Sequence, residues 1–367
     1  MNKKLLTFLA AAVGLMIVPL VAQYFGNAWV RIVDIALLYV LLALGLNIVV
    51  GYAGLLDLGY VAFYAVGAYM FGLLASSQLT DTFGWIAAIF PNGIHAPIWL
   101  VIPLGAAVAA TFGVLLGVPV LKLRGDYLAI VTLGFGEIIR VFLNNLDAPV
   151  NITNGPKGIA GIDSIKFFGL DLGDTLNLGF IELSSVSLYY YLFLALVVGS
   201  VVICYRLERS RIGRAWMAIR EDEIAAKAMG INTRNMKLLA FGMGATFGGV
   251  SGVMFASFQG FISPESFSLQ ESIMIVAMVV LGGIGHIPGV IIGALLLAAL
   301  PEVLRYVASP LQAMTGGRLD ASILRQLLIA LAMIGIMLAR PRGLWPSPEH
   351  GKAAPVPTAD QEPRSAA

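Results

Sequence analysis

The sequence predicts an all-α integral membrane protein with about ten transmembrane helices, and three observations support that fold class. Hydrophobic residues make up 59% of the 367 residues and charged residues 12%, about half the charge of an average soluble domain. The hydrophobic residues form runs of about 20, the length that crosses a bilayer. Lysine and arginine are concentrated in alternate connecting segments, as in a chain with one fixed membrane orientation.

The apolar runs define ten predicted spans. The first follows Lys3 and Lys4, as in a secretory signal peptide, but the segment 21–23 is a poor cleavage site and an uncleaved helix is predicted. The eighth and ninth are separated by the glycine-rich stretch 282–289, which protein or a cavity must cover at membrane depth. The predicted spans are 5–22, 29–49, 56–76, 97–121, 127–143, 187–205, 238–258, 271–285, 287–304 and 322–339.

The distribution of basic residues predicts that both termini are cytoplasmic (N-in/C-in). Ten crossings that start inside leave most lysines and arginines in cytoplasmic segments, and the opposite orientation would put most of them outside. The cytoplasmic segments are then 1–4, 50–55, 122–126, 206–237, 286 and 340–367.

The chain divides into one transmembrane domain and a tail. Residues 1–345 form the predicted transmembrane domain, within which two extramembrane segments differ in character. The segment 144–186 is long, polar and glycine-rich and falls outside, whereas 206–237 is short, strongly charged and cytoplasmic. The tail 346–367 is rich in proline and alanine and is predicted to be disordered.

Several kinds of chemistry are not supported by the sequence. The single cysteine, Cys204, excludes an internal disulfide, and three widely separated histidines argue against a metal site. There is no phosphate-binding Gly-x4-Gly-Lys-Ser/Thr loop, because Gly351-Lys352 continues into Ala353. Basic residues are scattered rather than gathered into a nucleic-acid footprint. We therefore expect no catalytic residues, no cofactor and no nucleic-acid partner.

The segment 206–237 carries the strongest functional signal. Its middle is predicted to be helical, with a charged face and a small-residue face, and Gly230 is a predicted helix C-cap. A short helix between two spans suits docking into a groove on a soluble partner. The alternative is an ordinary positive-inside loop, and the Ala-Ala-x3-Gly spacing favours docking. The predicted docking residues are Arg214, Ala218, Arg220, Glu221, Asp222, Glu223, Ala225, Ala226 and Gly230.

The stretch 225–230 resembles the coupling-loop motif of permeases in binding-protein-dependent ATP-driven importers, whose core is Glu-Ala-Ala followed three residues later by Gly. Ile224 stands here in the Glu position, with Glu223 one place earlier. Five ordered motifs over residues 30–340 together resemble one of the two permeases of the branched-chain amino-acid importer. They are GYAGLLDLGY at 51–60, RGDY at 124–127, TNGP at 153–156, REDE at 220–223 and GGIG at 282–285.

The resemblance implies a bacterial inner-membrane assembly. It contains two dissimilar permeases, two cytoplasmic ATPases and a periplasmic substrate-binding protein. The segment 206–237 is then a coupling loop, 144–186 a periplasmic loop, and ATP is hydrolysed by the partners. Closure of the ATPases would move the helix at 211–230 as a lever and tilt the spans in the lipid bilayer. The same motifs leave the related urea and short-chain amide permeases open.

Ionisable groups at membrane depth are costly and often functional, which makes Asp57 and Glu137 candidates for the translocation path. Asp57 also suits a cap at the start of the third span. Glu137 lies one turn from Arg140, so a pair within the helix is the alternative there. The same pairing is predicted for Glu302 and Arg305.

Gly283 and Gly285 are the other path candidates, because they leave backbone uncovered in the break before Pro288. The alternative is an ordinary turn, in which His286 is a hydrogen-bonded residue rather than a proton carrier. Glycines spaced at four predict helix-packing seams elsewhere. These sets are Gly113/Gly117, Gly244/Gly248/Gly252 and Gly285/Gly289/Gly293.

Two other function classes stay open at this point. An ion-coupled secondary transporter would need a buried carboxylate aimed at its site, and Glu137 is the main candidate. A channel-like or structural subunit would need no docking helix such as 211–230. Capture of ATPases by the intact chain separates the importer from both.

Overall fold

Long apolar helices account for most of the chain. The computed structural model describes residues 14–24, 26–91, 93–121, 123, 125–167, 170–177, 182–314, 321–340 and 343–345. The beginning of the first predicted span, Arg124 and the tail 346–367 lie outside the described residues. The helices are α1 (Gly14–Tyr24), α2 (Asn27–Asn47), α3 (Val61–Leu74), α4 (Gln78–Thr82), α5 (Gly84–Ile89), α6 (Ile98–Val120), α7 (Asp126–Asn145), α8 (Ser185–Glu208), α9 (Arg211–Glu221), α10 (Glu223–Ala228), α11 (Thr233–Gln259), α12 (Leu269–Gly282), α13 (Ile287–Met314) and α14 (Ala321–Ala339).

A helix occupies the position of each predicted span. Among the described residues, six helical stretches are long and apolar enough to cross a membrane. They are α2 with its π-helical extension Ile48–Tyr52, α6, α8, α11, α12 with the preceding 3-10 turn Pro264–Phe267, and Ile287–Arg305 of α13. Shorter apolar helices are Gly14–Tyr24, Val61–Leu74 and Gln326–Ala339. The fold is therefore polytopic and mainly helical, and the number of ten crossings stays a prediction.

Glycines let α11 pack closely on α3 and α6. A Cβ added at Gly249 would lie 2.6 Å from the carbonyl oxygen of Gly105, and one at Gly113 would lie 2.7 Å from the Cβ of Ala245. A Cβ at Gly248 would meet Phe63 at 2.9 Å. The predicted packing seams on α6 and α11 are confirmed. Such close approach supplies the van der Waals contact that holds helices together in lipid.

Loops and short helices gather at two opposite ends of the helix bundle. At the docking end, which contains α9, α10 and the turn at 283–286, the Gly51 carbonyl near the end of the π-helix accepts a hydrogen bond from Arg220. At the strand end, which contains the described residues of 146–184 and residues 260–263, Asp163 donates its backbone N–H to the carbonyl of Ala75 over 2.9 Å. Successive long helices run between these ends.

Short antiparallel strand pairs modify the predicted all-α fold at the strand end. β1 (Ile159–Ala160) pairs with β6 (Phe261–Ile262), β2 (Lys166–Phe167) with β3 (Leu170–Asp171), and β4 (Leu176–Asn177) with β5 (Glu182–Leu183). Ile159 and Ile262 are buried opposite each other, so this pair attaches the segment 146–184 to the end of α11. Two-residue strands leave no periodic pattern, which is why the sequence did not predict them.

Candidate docking and transmission site

The charged segment at the docking end folds as two helices where one was predicted. Ser210 caps α9 by accepting a hydrogen bond from the Gly213 N–H over 3.1 Å. Asp222 is extended, with φ −152°, and ends α9. Its carboxylate then caps α10, accepting the N–H groups of Ile224 at 2.8 Å and Ala225 at 3.0 Å. Asp222, predicted to dock, therefore starts a helix within its own chain.

The predicted C-cap at Gly230 is confirmed. Gly230 has φ +84°. The Ile231 N–H donates to the Ala226 carbonyl and the Gly230 N–H to the Lys227 carbonyl, both at 3.1 Å. These two bonds form a Schellman motif, which needs a left-handed residue at this position. α10 is thus a short helix with both ends fixed by local bonds.

A tryptophan that the sequence interpretation passed over anchors α9. Trp216 is fully buried, and its Nε1–H donates to the Met236 carbonyl over 2.7 Å at the start of α11. A Cβ at Gly213 would lie 2.6 Å from the Glu208 carbonyl oxygen, so α9 also lies tightly against the end of α8. The sequence did offer a signal for this anchor, because a single tryptophan within a strongly charged helix indicates a buried contact. These contacts attach α9 to the end of α8 and the start of α11.

The predicted docking residues point in different directions. Arg214, Glu221, Ala225 and Gly230 are exposed, whereas Ala218 and Glu223 are partly covered. Ala226 was predicted to enter a partner's groove, but it is 4% exposed and packs inside its own chain. It therefore lies on the inner face of α10 and not on the docking face. The reason is that Asp222 restarts the helix and sets a new rotation for α10. The apolar side chains that point outward are Ile224 and Met229, exposed by 72% and 84%.

An ion pair ties α10 to α11. Lys237 Nζ lies 2.7 Å from Glu223 Oε1, and the lysine side chain is buried. A buried charge needs a partner, so Glu223 neutralises Lys237 rather than pointing to solvent. Another predicted docking residue therefore holds the docking helices to the membrane-embedded body.

Arg220, also predicted to dock, turns inward. Its Nη1 donates to the carbonyl oxygen of Gly51 over 2.5 Å, at the end of the π-helix that extends α2. Burial lowers the pKa of the Arg220 guanidinium, and the neighbouring Glu221 carboxylate partly offsets that shift. The stem of Arg220 covers Gly54, where an added Cβ would lie 2.8 Å from its Cγ. Arg220 is thus in contact with the non-helical stretch that follows α2.

The glycine-rich break meets the same point. Gly285 donates its N–H to Asn47 Oδ1 over 2.9 Å, and a Cβ at Gly285 would lie 2.9 Å from Arg220 Nη1. The break is a turn closed by the His286 N–H and the Gly283 carbonyl at 3.1 Å, with φ +124° at Gly283 and +80° at Gly285. His286 pairs with the Trp345 carbonyl at 2.9 Å, which confirms it as a hydrogen-bonded turn residue.

Asp57 lies in the break between the π-helix and α3. One carboxylate oxygen accepts the Gly59 N–H over 2.9 Å, a local turn just before α3. The other oxygen is buried and has no hydrogen-bond partner among the described residues. Thr132 and Ser272 bind the backbone of Leu58 at 3.0 and 2.5 Å. Side chains from α7 and α12 thus satisfy backbone groups that no helix pairs at this depth.

Glu137 and Arg140 form the predicted pair on α7, and a third residue joins them. Arg140 Nη1 also lies 3.2 Å from Glu265 Oε1, in the turn before α12. The three side chains remain partly exposed, by 40%, 27% and 67% for Glu137, Arg140 and Glu265. The predicted pair of Glu302 and Arg305 is present at 2.7 Å. The predicted pair within α7 is therefore confirmed, and Arg140 also connects α7 to the 3-10 turn before α12.

Long apolar helices packed through glycine seams, with a charged helix pair attached at one end, define a polytopic membrane protein. Residues 29–337 match the family described as branched-chain amino acid transport system / permease component. The chain belongs to that family.

Relatives carry the same description. The chain is 42% identical over 330 residues to the high-affinity branched-chain amino acid transport system permease protein LivM of Escherichia coli, covering 86% of this chain and 70% of the relative. It is 41% identical to LivM of Salmonella typhimurium with the same coverage. Identity to LivH of Salmonella typhimurium is 28% over 75% of this chain and 84% of that protein. No solved structure matches the chain.

Proposed function

We propose that the chain is a transmembrane permease subunit of a binding-protein-dependent ATP-driven importer that carries branched-chain amino acids into the cytoplasm. The observation that supports this proposal is the pair of docking helices, α9 and α10. It is fixed to the membrane-embedded helices through Trp216 and the Glu223–Lys237 ion pair, and it presents apolar side chains outward. The substrate follows from the names of the relatives.

The assembly follows from the family. It contains this chain and a dissimilar second permease, as the separate similarity to LivM and LivH supports. Two ATPases bind at the docking end, which faces the cytoplasm, and a periplasmic binding protein delivers substrate at the strand end. The chain crosses a bacterial inner membrane ten times, with both termini inside.

Ile224 and Met229 are the centre of the ATPase contact in this proposal. Large apolar side chains are unfavourable when they are exposed to water on a polar helix. Covering them in a partner's groove lowers the free energy. Arg214, Glu221, Ala225 and Gly230 surround them on the exposed side of the two helices. ATP-driven closure of the ATPases then moves α9 and α10 together.

The Arg140 cluster is the strongest candidate for the path. The cluster lies towards the strand end of α7, and its partly uncovered charged groups cannot face acyl chains, so this side of α7 faces water or the second permease. A zwitterionic amino acid offers a carboxylate for Arg140 and an ammonium group for Glu137 or Glu265. Asp57 lies nearer the docking end than Arg140 does, and Gly283 and Gly285 lie in the turn at the docking end itself. We assign these three residues to the inner part of the route.

Copurification combined with uptake tests the proposal. The chain is expressed with candidate partner subunits, extracted in mild detergent and captured through a C-terminal tag. We expect two ATPases and one second permease per chain, and ATP-dependent leucine uptake in proteoliposomes supplied with binding protein. Uptake driven by an ion gradient without ATP would instead indicate a secondary transporter.

A further inference from the structure

We propose that Arg220 is a positioning residue that transmits movement of the docking helices to both non-helical breaks of the membrane-embedded helices. This inference rests on the proposed function. It differs from the docking role that the sequence suggested for Arg220, because the guanidinium points into the subunit.

Three motifs that are far apart in sequence meet at this guanidinium. Nη1 donates to the Gly51 carbonyl at 2.5 Å, and an added Cβ at Gly285 would approach the same nitrogen to 2.9 Å. Asn47, the last residue of α2, joins the end of that helix to the second break, because its Oδ1 accepts the Gly285 N–H over 2.9 Å. The end of α2 and the turn between α12 and α13 are therefore bound to each other and to the last turn of α9.

Arg220 connects a firmly attached helix, α9, to two segments that are not regular helices. Trp216 and Gly213 fix α9 against α11 and α8, so Arg220 follows any displacement of the docking pair. Residues 53–60 and 283–286 lack the regular ladder of helical hydrogen bonds. Such segments can rotate without breaking a ladder of helical hydrogen bonds, so they are where a hinge is expected.

An arginine suits this position for a physical reason. The Gly51 carbonyl lies in the last turn of a helix, where carbonyl groups have no helical partner and carry the negative end of the helix dipole. A guanidinium binds such a carbonyl with a charge-assisted bond and spreads several donors in a fixed plane. In the described part of the chain Arg220 has no ion pair within 4.0 Å, so a carbonyl rather than a carboxylate holds its charge.

The first test separates coupling from assembly in the reconstituted complex. Arg220→Met keeps the aliphatic stem over Gly54 and removes the donors. We expect full complex yield, ATP hydrolysis within about twofold of the parent, and uptake reduced at least about tenfold, as the loss of one charge-assisted bond predicts. Arg220→Lys, which keeps one charged donor, should recover part of the uptake. Arg234→Met, an exposed arginine on α11, is the control and should leave all three quantities unchanged.

The second test follows the movement itself. A cysteine replaces Leu56, a partly exposed residue of the first break, in a Cys204→Ser background. In the parent, trapping ATP should change its rate of labelling by a thiol reagent, and Arg220→Met should abolish that change while the ATPases stay bound. This readout does not depend on a loss of stability.

The outcomes distinguish this inference from the proposed function. If the parent complex contains no ATPases, the proposed function fails. If the parent transports and Arg220→Met retains both uptake and the ATP-dependent change at position 56, the proposed role of Arg220 is wrong and the proposed function stands. Parallel losses of yield, hydrolysis and uptake in both Arg220 variants would assign Arg220 a structural role and also overturn the inference.

Discussion

Ala225 and Ala226 are neighbours in the sequence and face opposite ways. Ala225 is exposed, whereas Ala226 is 4% exposed. The sequence supported the C-cap at Gly230 correctly because capping depends on a few adjacent residues. The inward direction of Arg220 could not be predicted, since its partner Gly51 is 169 residues away. At the residue scale, local chemistry was predictable and long-range contacts were not.

The alanine pair provides a matched test at this scale. Ala226→Arg forces a charge into a packed site without a partner, and we expect a loss of about 3 kcal/mol or more of stability with a lower yield of folded protein. Ala225→Arg should fold normally and weaken capture of the ATPases. The measurements are the yield of folded protein and the number of ATPases captured per chain, compared between the two variants. Equal yields for the two variants would contradict the burial of Ala226.

Arg140 provides the second residue-scale prediction. Arg140→Gln removes the charge proposed to meet the substrate carboxylate, and uptake should fall by about tenfold or more, because a lost charged hydrogen bond contributes about 1.5–3 kcal/mol. Arg305→Gln is the control, since Arg305 also pairs with a carboxylate one turn away. Initial rates of leucine uptake, normalised to complex yield, are the measurement. A similar effect in both variants would argue against a path role.

Helix positions were predictable at the element scale because a bilayer demands long apolar runs. Less regular elements were not, and the π-helix at Ile48–Tyr52 and the division between α9 and α10 illustrate this. The first depends on packing between helices, and the second on the conformation of Asp222. The glycine-rich break at 282–289 was predictable, because its glycines and Pro288 mark it in the sequence itself.

The turn at 283–286 gives the element-scale prediction. Gly283 and Gly285 have φ of +124° and +80°, so alanine there should cost about 1 kcal/mol or more. In the turn-and-packing interpretation, complex yield and uptake fall together. In the path interpretation, uptake falls at full yield because the methyl group occupies space near the route. Gly199→Ala, with no neighbouring atom within 4 Å of the added Cβ, is the control.

At the scale of the whole molecule, the separation of two ends was predictable in outline. Alternation of charged and uncharged connections assigned 144–186 and 206–237 to opposite sides, and the structure has them at opposite ends of α8. What the sequence lacked was the network within the docking end. Three motifs, each interpreted separately, form one contact region there, because helices distant in the sequence bring them together.

Sidedness is the last prediction. Cysteines introduced at Asn154 and at Arg214, each in a Cys204→Ser background, should react with a membrane-impermeant thiol reagent from opposite sides. α8 is the long helix between them, and its 24 residues extend about 36 Å, enough to cross a hydrocarbon core of about 30 Å. Intact cells should label position 154, and position 214 should label after permeabilisation. The unsubstituted background, in which the buried native cysteine is removed, should stay unlabelled. Labelling of both positions in intact cells would contradict the crossing by α8 and with it the assignment of the docking end to the cytoplasm.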